Sequence, residues 1–90
     1  MTFITNDDAL RSAADLLGED GLQRHIDSTR AQLLRYQVEL RAAKQMPHGE
    51  GRKQRLATLR ASTSIARQDM DRYRWMLADW RRRHKEKPGE

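Results

Sequence analysis

Apolar residues recur along this chain at alternating steps of three and four, in two stretches separated by a short polar turn. The first runs Leu22, Ile26, Thr29, Leu33, Tyr36, Leu40, Ala43; the second runs Leu56, Leu59, Thr63, Ala66, Met70, Tyr73, Leu77, Trp80, His84. That spacing marks one stripe of an α-helix, in the seven-residue form of a coiled-coil seam. The two stretches are mirror images. Ala43 and Leu56, Leu40 and Leu59, Tyr36 and Thr63, Leu33 and Ala66, Thr29 and Met70, Ile26 and Tyr73, and Leu22 and Leu77 all have numbers that add to 99. A chain that folds back on itself produces a constant sum, so the pattern predicts an antiparallel pairing as well as two helices. Large residues face small ones, Tyr36 opposite Thr63 and Leu33 opposite Ala66, as interdigitated packing requires.

Local signals set the boundaries. Thr5-Asn6-Asp7-Asp8 carries a capping side chain and early acids, which suit a helix N-terminus. A short helix is expected over residues 7–17, stopped by Gly18 in a left-handed conformation, with Glu19-Asp20-Gly21 restarting the chain. Long helices are expected over residues 21–46 and 50–87. Pro47 ends the first of these, residues 47–51 form the turn, and Pro88-Gly89 ends the second. By the mirror rule the partner of Trp80 is Glu19, so Met76, Leu77 and Trp80 project past the second helix. Leu10, Ala13, Leu16 and Leu17 are placed to cover them. The expected fold is all-α: a single 1–90 domain formed by an antiparallel two-helix coiled-coil hairpin with a short N-terminal helix, expected to form a homodimer by packing into a helical bundle.

One seam is little burial for 90 residues, and Leu34, Val38, Ile65 and Trp75 lie outside it. Scattered surface apolars are ordinary. The alternative is that these four dock on something, either a second copy in a homodimeric four-helix bundle or another protein.

Charge adds a second candidate surface. The chain carries 18 Lys and Arg against 13 Asp and Glu, a net charge of +5, which favours acidic partners. With the seam at the a and d positions of the heptad, the e positions are Gln23, Arg30, Gln37 and Lys44 on one helix and Lys53, Arg60, Arg67, Arg74 and Arg81 on the other. Flanking positions in a hairpin ordinarily pair opposite charges, yet this flank has no acid. Arg82, Arg83, Lys85 and Lys87 extend the positive charge to the C-terminal end. Arg stems that cover the seam while their charges stay in water would account for part of this, as would Asp27 and Asp71 reaching along their own helices. The functional reading is a ridge of Arg30, Lys44, Lys53, Arg60, Arg67, Arg74 and Arg81 that binds an acidic protein surface. The alternative is sequence-nonspecific contact with a DNA or RNA backbone, because Arg rows track phosphates but read no bases.

Catalysis finds little support. There is no Cys; Ser12, Ser28, Ser62 and Ser64 lack a Gly-flanked nucleophile turn, and His25, His48 and His84 lack metal-ligand spacing. Leu22-Gln-Arg-His-Ile26-Asp27 followed by Leu33-Leu34 resembles the first helix of the all-helical chorismate mutases. That resemblance implies a dicarboxylate site built from buried Arg and Lys. It covers one helix; the family's next arginine falls on Leu40, and no downstream motif matches. The expectation is a non-enzymatic, cofactor-free and metal-free binding protein of the kind that serves as adaptor, assembly factor, secretion partner or phage and mobile-element inhibitor. No apolar run reaches the roughly 18 residues of a membrane span. The acidic start lacks the basic stretch of a secretory signal, so a cytoplasmic protein without membrane association is expected.

Overall fold

The structure is a computed structural model and describes residues 6–85. Two helices, α1 (Asn6–Lys44) and α2 (Glu50–Lys85), pack against each other as an antiparallel hairpin with extents of 63 × 35 × 15 Å. Their termini follow the helix dipole. Asp7 and Asp8 open α1 and Arg41 and Lys44 close it; Glu50 opens α2 and Arg82, Arg83, His84 and Lys85 close it. Gln45 N and Met46 N donate to the carbonyls of Ala42 and Ala43 at 3.1 Å, tightening the end of α1 before Pro47. Met1 to Thr5, the expected end at Lys87 and the Pro88-Gly89 stop lie outside the described residues.

The seam is where the mirrored pattern places it. Leu22, Ile26, Thr29, Ala43, Leu56, Leu59, Thr63, Ala66, Met70 and Leu77 are buried, and Leu33, Tyr36, Leu40, Tyr73, Trp80 and His84 are half-buried. The core divides into two clusters. One holds Leu22, Ile26, Met70 and Leu77, with Leu33, Tyr73 and Trp80 against them. The other, at the turn end, holds Ala43, Leu56 and Leu59, with Tyr36 and Leu40. Four predicted pairs thus fall within single clusters: Leu22 and Leu77, Ile26 and Tyr73, Ala43 and Leu56, Leu40 and Leu59. In the middle of the seam large residues face small ones, and Thr63 satisfies its buried hydroxyl by donating to the Leu59 carbonyl at 2.7 Å.

The expected short N-terminal helix is not a separate element. Residues 6–17 are the first arm of α1, joined to the rest through one non-helical residue, Gly18, at φ 72 and ψ 176. Glu19, Asp20 and Gly21 return to the helix at once, so the acidic run that reads as a new start is helical. That backbone conformation is nearly restricted to glycine, which lets one residue absorb the bend. Gly21 serves the same kink, because a Cβ there would stand 3.2 Å from Leu17 Cβ.

The arm does fold over the open end of the hairpin, but not with all the expected side chains. Ala14 is fully buried beside Met76 and Leu77, with Leu10 and Ala13 packed around them. Leu16 is 90% exposed and Leu17 38% exposed, so neither provides that cover. Polar contacts reinforce the closure: Glu19 meets Arg81, Asp15 meets Arg83, and Arg11 meets Asp79. Among the described residues, no helix is long and apolar enough to cross a membrane.

Candidate partner-binding groove

In a heptad the e position neighbours a on the helix surface, so the e flank of a hairpin is floored by a residues. Three clefts occupy this flank. The first, about 660 Å³ at the turn end, is lined by Lys44, Lys53, Arg52 and Arg60 around Leu56. The second, about 430 Å³, lies between Leu40, Thr63, Arg60 and Arg67. The third, about 330 Å³, lies between Arg30, Arg67 and Arg74 above Leu33, Leu34 and Met70. Arg60 is shared by the first two, and Arg67 and Asp71 by the second and third. The three clefts therefore form one groove.

This groove collects six of the seven predicted ridge residues: Arg30, Lys44, Lys53, Arg60, Arg67 and Arg74. Arg30 lies 3.9 Å from Asp27. Among the described residues, no carboxylate comes within ion-pairing distance, 4.0 Å, of Lys44, Lys53, Arg60, Arg67 or Arg74. The seventh, Arg81, leaves the row: its Nε donates to Glu19 Oε1 at 2.9 Å. With Arg52 added, the groove lining has seven cations and two carboxylates, Glu50 and Asp71. That is a net +5, equal to the charge of the whole chain, so the remainder of the molecule is electrically balanced. The acids sit elsewhere: Glu39 pairs with Arg55 across the opposite flank at 3.5 Å, and Asp69 with Arg72 at 3.3 Å.

The expected extension of charge to the C-terminal end does not hold for Arg82 and Arg83. Arg82 pairs with Asp79 at 3.2 Å, and Arg83 bridges Asp79 and Asp15 at 2.8 Å each. Asp79 is buried, which pushes its carboxyl up. The hydrogen bond from Arg83 and the charges of Arg11, Arg83 and Arg82 outweigh that, and hold it below the ordinary value of 3.8. Arg83 is held above its usual range, first by its hydrogen bond to Asp15.

The four apolar candidates do not form one surface. Leu34, 58% exposed, joins the groove beside Leu33. Val38 and Ile65 are exposed on outer positions of different helices. Trp75, expected to be exposed, is half-buried against the first core cluster, with the Arg11 guanidinium 6.0 Å from its ring centroid. The arm of α1 covers it, which a two-helix seam does not anticipate.

Two groove features escape the sequence pattern. The floor of Leu33, Leu40, Leu56, Thr63 and Met70 is legible only once a residues are seen as a surface as well as a core. Arg52, at the turn end, has a buried Nε without a hydrogen-bond partner among the described residues, and its Nη1 lies 3.4 Å from His48 Nδ1. His25 stacks on Tyr73 at 4.8 Å and His84 on Trp80 at 3.9 Å. No group of three or more His, Cys, Asp or Glu able to hold a metal occurs among the described residues. The buried Arg and Lys that a chorismate mutase-like site implies are likewise absent from them, since each described Arg or Lys is exposed or half-buried. No family model, curated protein or solved structure matches this chain.

Proposed function

We propose that this chain is a non-catalytic helical binding protein that docks on an acidic protein surface through the groove between α1 and α2. One observation carries the reading: Arg30, Lys44, Lys53, Arg60, Arg67 and Arg74 converge on one groove, and five of them have no carboxylate in reach. Aligned like charges oppose folding, and an acidic partner would compensate them. Leu34 and the half-buried Leu33 and Leu40 add apolar contact at the same place. We place the chain with adaptors, assembly factors or inhibitors of phage or mobile-element type.

The test compares the wild-type chain with Arg60→Glu/Arg67→Glu/Arg74→Glu in affinity capture from nuclease-treated host lysate. A protein retained by the wild type and lost by an equally helical variant supports the reading. The same proteins on both baits would end it.

A second reading, sequence-nonspecific binding to a DNA or RNA backbone, draws on the same cation row. Retention of either nucleic acid in a low-salt gel shift, weakening steeply with salt, would favour it. The homodimer expected from the outer apolar residues belongs here too. Exposed Val38 and Ile65 support it, and sedimentation equilibrium tests it by showing one chain mass or two.

A further inference from the structure

We infer that the element received by the groove is an acidic amphipathic α-helix of a partner protein, laid lengthwise between α1 and α2 to complete a three-helix bundle. The inference rests on the proposed protein-binding function and names its partner.

Three properties of the groove point to a helix. Its long edge, from Lys53 to Arg74, spans 21 residues, roughly 32 Å at 1.5 Å per residue. Its cations on α2 are one heptad apart, roughly 10 Å. A partner helix with carboxylates one heptad apart matches that period tooth for tooth. Each strand of a DNA duplex presents a phosphate about every 3.4 Å of helix axis, so two of every three would pass without a counter-charge from this row. Apolar side chains lie among the cations: exposed Leu34 and half-buried Leu33 and Leu40 line the groove, with Met70 buried behind them. A phosphodiester backbone has nothing to place there, whereas the apolar stripe of an amphipathic helix does. Two packed helices leave between them the groove that a third fills in a bundle.

Charge also separates a foreign helix from a second copy of this chain. The groove holds a net +5 and the rest of the molecule is balanced. Two copies meeting groove to groove would therefore repel.

The probe is a synthetic 24-residue peptide with one Leu stripe at helical spacing and Glu on both sides of it, used below its own self-association concentration. Beside it stand poly-glutamate of equal length and a 24-nucleotide single strand, each titrated into the full chain at 0.15 M salt. The readouts are fluorescence anisotropy and methyl NMR shifts. The peptide is expected to bind at least 10-fold more tightly than poly-glutamate and to shift the methyls of Leu33, Leu34 and Leu40. It is also expected to lose at least 10-fold in affinity with Arg60→Gln/Arg67→Gln/Arg74→Gln. Poly-glutamate binding as tightly as the peptide would overturn the helix inference and leave the acidic-surface reading standing. Tighter binding of the DNA strand than of either polypeptide, or no binding of either polypeptide, would overturn both.

Discussion

Arg83 joins Asp79 and Asp15, residues on opposite arms of the hairpin, with 2.8 Å hydrogen bonds from Nε and Nη1 of one guanidinium. Asp15 belongs to the arm before the Gly18 kink, and Asp79 is a buried acid of α2 that also meets Arg11 of that arm. This network, with Ala14 beneath it, fastens the arm over Met76 and Leu77.

Acid stability depends on that fastening. A carboxyl held below its usual range contributes stability that is present above the unfolded-chain value, here 3.8, and lost as pH falls through the lower folded value. Arg83, held above its range, changes nothing until strongly alkaline pH. Circular dichroism melts should therefore show Tm of the wild type falling below about pH 4. Asp79→Asn should melt several degrees lower at pH 7 and lose the part of the acid dependence that Asp79 supplies. Equal Tm values at pH 7, with parallel acid profiles, would remove the network from the account of the arm.

The kink makes a second prediction. A side chain at Gly18 has open space around it but a positive φ to tolerate. The cost of Gly18→Ala is then backbone strain alone, about 1–3 kcal/mol. Thermal denaturation should show this loss. Amide exchange should show protection falling first in residues 6–17, because straightening α1 pulls the arm off Trp75.

Burial distinguishes neighbouring leucines that the sequence alone treats alike. Leu22 is fully buried and Leu16 is 90% exposed. Leu22→Ala should cost about 2–5 kcal/mol, enough to unfold much of a two-helix protein, while Leu16→Ala should stay within about 0.5 kcal/mol. Urea melts of the two variants measure the difference.

The contrast between Leu22 and Leu16 shows where the sequence is informative. Leu22 belongs to a period running the length of both helices, and its partner Leu77 follows from the mirrored numbering. Each such residue is constrained by many others, so the whole seam is legible. Leu16 sits near a one-residue kink whose direction no periodicity encodes, and the arm turned Ala14 inward instead. Trp75 follows the same logic: its outer position is exposed in two helices and covered in a hairpin with a folded arm. For the groove, the row from Arg30 to Arg74 follows from heptad phase. The withdrawal of Arg81 needed the position of Glu19, which depends on the kink. Arg82 and Arg83 sit three and four residues after Asp79, so part of their pairing is readable along one helix turn. The pairs Arg83 with Asp15 and Asp79 with Arg11, which reach the folded arm, are not.

The last prediction concerns what the groove cations do for the folded chain itself. Residues kept for stability lower it when removed; residues kept for a partner often do not. Lys53, Arg60, Arg67 and Arg74 line one edge at heptad spacing with no carboxylate within 4.0 Å, and the two acids of the lining, Glu50 and Asp71, are outnumbered there by seven cations. Replacing them relieves repulsion, most at low salt, where the screening length reaches about 30 Å at 0.01 M. Arg60→Gln/Arg67→Gln/Arg74→Gln should therefore melt at or above the wild-type temperature in 0.01 M salt. The advantage should shrink as salt rises, because screening relieves the wild type equally. Binding of the acidic helical peptide should fall over the same set of substitutions. Higher stability with weaker binding marks a surface shaped by a partner. A clear loss of Tm at low salt would instead assign these arginines to covering the seam with their stems.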